Sequence, residues 1–173
     1  MKIIQCESER HADQILTIFN EAIANSTALY DYKPRTIEMI GSWFEAKAKG
    51  NYPVIGMQGD DGELMGFASF GSFRAWPAYK YSIEHSVYVD ARFRGQGVGR
   101  RLLEEVIKSA RGQDYHVLIG GIDATNKASL ALHESLGFTH CGTVRQVGFK
   151  FSRWLDLSFY QLILTTPLHP IDG

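Results

Sequence analysis

The feature that most constrains this chain is a strand that runs through a glycine-rich turn into a helix, Val87-Tyr88-Val89-Asp90-Ala91-Arg92-Phe93-Arg94-Gly95-Gln96-Gly97-Val98-Gly99-Arg100. Upstream, Tyr81 to Val89 alternates and carries β-branched and aromatic residues, as a core strand does. Downstream, Val98, Leu102, Leu103, Val106, Ile107 and Ala110 recur at helical spacing, and Gly112 ends the pattern. At such a junction unpaired backbone N–H groups converge with the positive end of the helix dipole, and glycine lets a phosphate approach with no Cβ in the way. The turn therefore reads as an anion site rather than a bare chain reversal. The Walker pattern is excluded, because Gly99 is followed by Arg100-Arg101 and not by Lys-Ser/Thr. The dinucleotide fingerprint G-x-G-x-x-G is excluded too, because Arg100 stands after Gly97-Val98-Gly99.

The remaining pattern surrounds this junction with helices and strands. Ile15, Ile18, Phe19, Ala22 and Ile23 predict an amphipathic helix around residues 11–24, broken by Ser26-Thr27. Ile40, Trp43 and Phe44 predict a second, after Pro34 and Thr36 and ending near Gly50-Asn51. Residues 52–58 and 64–73 read as an antiparallel pair closed by Gly59-Asp60-Asp61-Gly62. Further on, Val117 to Ile122 reads as a buried strand and Ser129 to Leu136 as a short helix capped by Gly137. Cys141 to Phe151 and Leu155 to Leu164 read as late strands. No repeat or linker interrupts the 173 residues, which are 45% hydrophobic, so one domain over 1–173 is expected. Its class is α/β, a mixed sheet flanked by helices.

Charge and cysteine content narrow the function. Lys and Arg number 18 against 19 Asp and Glu, so no broad field exists to hold nucleic acid or an anionic membrane. Cys6 and Cys141 lie far apart, with no C-x-x-C or His partner spacing, which points away from a disulfide framework and from zinc. The start, Met1 to Glu7, lacks the apolar stretch of a signal peptide, and no run approaches the ~18 apolar residues of a membrane span. A cytoplasmic protein is expected.

Arg94, Gly97 and Gly99 meet the pattern Arg/Gln-x-x-Gly-x-Gly/Ala, and a second stretch, Asn126-Lys127-Ala128-Ser129-Leu130-Ala131-Leu132-His133-Glu134-Ser135-Leu136-Gly137-Phe138, follows it. In this order the two resemble the signatures of the GNAT acyltransferases. The resemblance implies the acyl-CoA N-acyltransferase fold, a central mixed twisted sheet flanked by helices, with the turn on the CoA pyrophosphate. Ala68-Ser69-Phe70-Gly71, Tyr81 to Val89 and Val147 to Asp156 extend the likeness over nearly the whole chain. They resemble the phosphinothricin acetyltransferase subfamily, and within it the enzymes acting on methionine sulfoximine and methionine sulfone. By that likeness Val87, Tyr88, Val89, Arg94, Gly95, Gln96, Gly97, Val98, Gly99, Arg100 and Asn126 would hold acetyl-CoA. Arg74, Ala75, Trp76, Glu84, His85 and Ser86 would line the site of a small amino-acid acceptor. A homodimer is also implied.

The chemistry asks for particular groups. An α-amino group with a pKa of ~8 must lose a proton before it attacks a thioester. Glu84, on a core strand just before the turn, is the candidate base, set against the commoner fate of a strand Glu on a solvated face. Alternation puts Glu84 with Ser86 and Tyr88 on one face and His85 with Ile83 and Val87 on the other. Either one of the two is catalytic, or a bulge near 85–88 re-aims the strand. His85 is thus open between a site residue and a hydrogen-bonded core histidine. His133 stands where many GNAT enzymes carry a tyrosine that protonates the leaving thiolate, and its alternative is packing between helix turns. Arg74 offers a guanidinium to an acceptor's carboxylate or oxidised head, though it could equally be an exposed surface charge. Trp76, in a Pro-containing loop, is the aromatic that best fits a substrate wall. No metal is required, and neither cysteine lies near these motifs. The expected reaction is direct acetyl transfer in a ternary complex. Its rivals are acetylation of a protein or peptide amine, and a CoA-binding module without catalysis.

Overall fold

The computed structural model describes residues 1–172. Along the chain lie β1 (Lys2–Gln5), α1 (Ser8–Asn25), α2 (Ile37–Lys49), β2 (Val54–Gln58), β3 (Leu64–Ser72), β4 (Ser82–Val89), α3 (Val98–Gly112), β5 (Val117–Asp123), α4 (Lys127–Ser135), β6 (Thr139–Lys150) and β7 (Arg153–Ile163). Short 3-10 turns occupy Pro77–Tyr79 and Ala91–Phe93. The strands follow the order β1-β2-β3-β4-β5-β7-β6, and antiparallel pairs together with the parallel pair β4–β5 make the sheet mixed, as expected. The chain divides into two compact units, Met1–Gly71 with Ser86–Val106, and Ser72–His85 with the residues from Ile107 onward.

In the first unit, α1 buries Ile15, Ile18, Phe19, Ala22 and Ile23, the stripe read from the sequence, and adds His11. It starts earlier than its apolar periodicity predicts, at Ser8. The cause is His11, whose Nδ1 accepts the Glu7 N–H over 2.9 Å and so satisfies an N-terminal donor without a Ser, Thr, Asp or Asn cap. At the other end Ser26 caps the helix, its N–H and hydroxyl both donating to Ala22 O. Thr36 begins α2 by accepting the Met39 N–H, and Gly50 ends it. The β2–β3 hairpin closes at Gly59-Asp60-Asp61-Gly62, with the Gly59 N–H on Glu63 O and Gly62 at φ +86°. Strand β1 was not legible: its four residues carry no period of their own and are fixed by pairing to β2, as in Ile3↔Met57. Edge-to-face aromatic contacts centre the core, with Phe19 at 4.9 Å from Phe67, 5.5 Å from Trp43 and 5.0 Å from Tyr88.

In the second unit, β5 lies between β4, parallel through Ser82↔Val117 and Glu84↔Ile119, and β7, antiparallel through Gly120↔Tyr160. Strands β6 and β7 form a long hairpin with register shifts at His140/Gly142 and Val144/Gly148. Helix α4 has both ends specified. Asn126 caps its start by accepting the Ser129 N–H at 3.1 Å. Its end is a Schellman motif, in which Gly137 at φ +87° donates its N–H to Glu134 O and the Phe138 N–H reaches His133 O.

Candidate active site

Strand β4 leads from the second unit into the first and there delivers the glycine-rich turn. The Asp90 N–H donates to Met65 O over 3.0 Å, and the Asp90 carboxylate accepts the Arg92 N–H at 2.9 Å and its guanidinium at 2.7 Å. Arg94, expected to meet the cofactor, donates to Val89 O at 3.2 Å and to the Glu21 carboxylate at 2.6 Å, so it braces the turn. The Gln96 side chain likewise donates to Arg92 O, and Arg100 pairs with Glu104 at 3.3 Å. Gly95 and Gly97 sit at φ +76° and +81°, in the region that favours glycine, and open space lies where a Cβ would stand at either. The Arg101 N–H bonds Gly97 O at 3.1 Å and closes the first turn of α3 on the glycine-rich turn. Open approach and the positive end of a helix start suit the pyrophosphate of a CoA thioester. Val87 and Val89 are half-buried on the strand before it, and the ring of Tyr88 packs in the aromatic core, so what Tyr88 offers a cofactor is backbone. Asn126 is the helix cap described above, its side-chain oxygen held by Ser129.

The second unit holds the candidate acid–base groups. The alternation read from the sequence persists at 83–85, where Ile83 and His85 are buried and Glu84 is exposed. Burial nonetheless raises the Glu84 carboxyl above the ordinary carboxylate range, and the positive charge of Arg74 pulls it part of the way back. Arg74 is exposed, its guanidinium 5.1 Å from the Phe73 ring centre. Ala75 and Trp76 are exposed beside it, and Trp76 precedes the 3-10 turn. Ser86, half-buried, continues β4 in the first unit.

His85 lies against His133. Their Nε2 atoms are 2.9 Å apart, the rings are stacked at 5.1 Å, and both are buried. On its other side His133 Nδ1 is 2.7 Å from Ser129 O, one helical turn back. A carbonyl oxygen only accepts, so Nδ1 carries the proton. Phe138 covers both rings, at 5.0 Å from His133 and 5.3 Å from His85. Burial first, then the neighbouring His133, pushes His85 down to about 3, with the Ile119 backbone opposing weakly. Burial also lowers His133, against the opposing Ser129 carbonyl.

Two glycines missed by the sequence reading make this arrangement fit. A Cβ on Gly120 would stand 2.9 Å from His85 Cε1 and 3.3 Å from His133 Nε2, and one on Gly121 would stand 3.3 Å from Glu84 Oε1. A Gly-Gly pair inside a buried strand was the available signal of close approach. Among the described residues no group of three or more His, Cys, Asp or Glu is placed to hold a metal ion. Nor, among them, is any helix long and apolar enough to cross a membrane.

A glycine-rich turn opening a helix of a mixed sheet, followed by a strand and a second capped helix, is the architecture expected of an acyl-CoA transferase. Residues 17–138 match the model of the acetyltransferase (GNAT) family, and the chain belongs to that family. It is 43% identical, over 87% of either chain, to the L-methionine sulfoximine/L-methionine sulfone acetyltransferase of Pseudomonas paraeruginosa. A GNAT superfamily phosphinothricin acetyltransferase from Sinorhizobium meliloti, solved in complex with acetyl-CoA, superposes with a TM-score of 0.93 at 28% identity, covering 98% of this chain and 91% of that one. A ribosomal-protein-alanine N-acetyltransferase from Brucella melitensis superposes at 0.92 with 42% identity, covering 95% and 100%.

Proposed function

We propose that the chain acetylates the α-amino group of a free, amino-acid-like acceptor such as methionine sulfoximine, methionine sulfone or phosphinothricin. The observation that carries this reading is Glu84 with its raised carboxyl in the field of Arg74. A carboxylate in the field of a guanidinium matches the two charges of a zwitterion, with the base on the amine side. Amine and acetyl-CoA meet in one ternary complex. Glu84 takes the amine proton through water, the nitrogen bonds the thioester carbon, and the carbon–sulfur bond breaks. Backbone N–H groups at the end of β4 polarise the thioester carbonyl, and the N–H groups opening α3 hold the pyrophosphate.

His133 is the proposed donor to the departing thiolate. Its Nδ1–H is committed to Ser129 O, so any proton it gives must leave from Nε2. The family match at 17–138 runs through both compact units, which supports one functional domain. Val147, Phe149, Phe151 and Trp154 on the β6–β7 hairpin are about half exposed, with β6 at the sheet edge, and this apolar surface supports a homodimer. Two free cysteines, one buried and one exposed, fit a reducing cytoplasm.

The likeness to a ribosomal-protein-alanine N-acetyltransferase favours a second reading, a peptide N-terminus as acceptor. One assay separates them: CoA-thiol release over free amino acids, including the three named, beside peptides with N-terminal alanine. Turnover on the free amino acids with none on the peptides is expected. The reverse result, or no turnover with either, would remove the proposal.

A further inference from the structure

We propose that His85 is a positioning residue that donates its Nε2–H to His133 Nε2 and thereby holds the His133 ring as the Nδ1–H tautomer. Its consequence for turnover rests on the function proposed above. An uncharged pair of imidazoles has four ring nitrogens and two N–H groups. One N–H is fixed on His133 Nδ1 by Ser129 O at 2.7 Å. A hydrogen bond across the 2.9 Å between the Nε2 atoms needs the other, and it belongs to His85, because His133 already has its one. His85 Nδ1 is then a bare acceptor, and it is buried with no hydrogen-bond partner among the described residues, the Ile119 backbone acting on this ring without bonding Nδ1. The donors run one way: His85 to His133, and His133 to the helix carbonyl.

Packing supports a built contact. Phe138 covers both rings, and the missing side chain of Gly120 leaves the space in which they meet. Both lie at fixed points of the backbone, since the Schellman motif holds His133 O and the β4–β5 register ends beside His85 at Glu84↔Ile119. His133 Nε2 therefore rests without a proton. It delivers one to a thiolate only after the pair has taken up the proton that the attacking nitrogen sheds as it becomes an amide, and His85 sets where that proton sits.

Two measurements test this. In protein labelled with 15N-histidine, long-range proton–nitrogen spectra at neutral pH should show His133 protonated at Nδ1 only and His85 at Nε2 only, assigned from the His85→Gln and His133→Phe variants. A proton on His133 Nε2, or on His85 Nδ1, overturns the proposal. In turnover, His85→Leu should lower kcat by about tenfold or more while the KM for acetyl-CoA stays within about twofold, and His85→Gln, whose amide can still donate, should recover most of the loss. Equal kcat for the Leu and Gln variants, both folded by circular dichroism, counts against the role. If the wild-type protein acetylates no amino acid, the proposed function fails, and the spectrum alone still decides the hydrogen bond.

Discussion

At the scale of single residues, neighbouring positions on β4 do opposite things because a strand alternates. Glu84 is exposed and feels the charge of Arg74, and His85 faces inward onto His133. Glu84→Gln keeps size and hydrogen bonding but removes basicity, so kcat should fall by ~10²–10⁴, with the loss shrinking at high pH where more amine is already neutral. Steady-state kinetics across pH checks this, and wild-type turnover in the variant at neutral pH would exclude Glu84 as the base. The histidine pair links to stability in a definite direction. Folded His85 titrates at about 3 against 6.5 for a free side chain, and His133 is also lowered. Between those values the unfolded chain binds more protons, so this contribution is fully present above the unfolded pKa and is lost as pH falls toward the folded one. The urea midpoint should therefore drop between about pH 7 and about pH 4, and His85→Leu should flatten that drop. Identical pH slopes for the two proteins would show that His85 is not held uncharged.

At the scale of elements, the turn before α3 was legible because its glycines, its strand and its helix lie in one continuous stretch. Gly97 at φ +81° takes any other residue only with strain, costing ~1–2 kcal/mol. Gly97→Ala should therefore raise the KM for acetyl-CoA by roughly tenfold and that for the amine far less. Acetyl-CoA kinetics unchanged in a folded Gly97→Ala protein would detach the turn from the cofactor. The end of α4 was legible for a different reason than the one that matters at the site. Leu136-Gly137-Phe138 reads as a helix stop, and the structure makes it a clamp: the Phe138 N–H fixes the His133 carbonyl while its ring covers the imidazole. Strand β1 and the early start of α1 escaped notice because each depends on a partner, β2 for one and the reach of His11 for the other.

At the scale of the whole molecule, the β6–β7 hairpin leaves Phe149 and Trp154 47% and 58% exposed, their rings 5.1 Å apart. If a second copy covers them, Trp154→Lys should convert a dimer to a monomer in sedimentation at micromolar concentration, and a wild-type protein that sediments as a monomer would dismiss the dimer. What the sequence alone determined is what local period and local turn chemistry can encode: α1 to α4, the β2–β3 hairpin, the glycine-rich turn before α3, and the mixed α/β class that follows from their order. It also singled out Glu84, His85 and His133, without saying which of them touch. That was decided by tertiary structure. His85 and His133 are separated by 48 residues and meet only because β4 pairs with β5, α4 returns over the strand, and Gly120 supplies no Cβ between them. Alternation could place His85 on a face, but only packing could place a partner there, since which distant residues share a buried volume depends on the register and order of the strands.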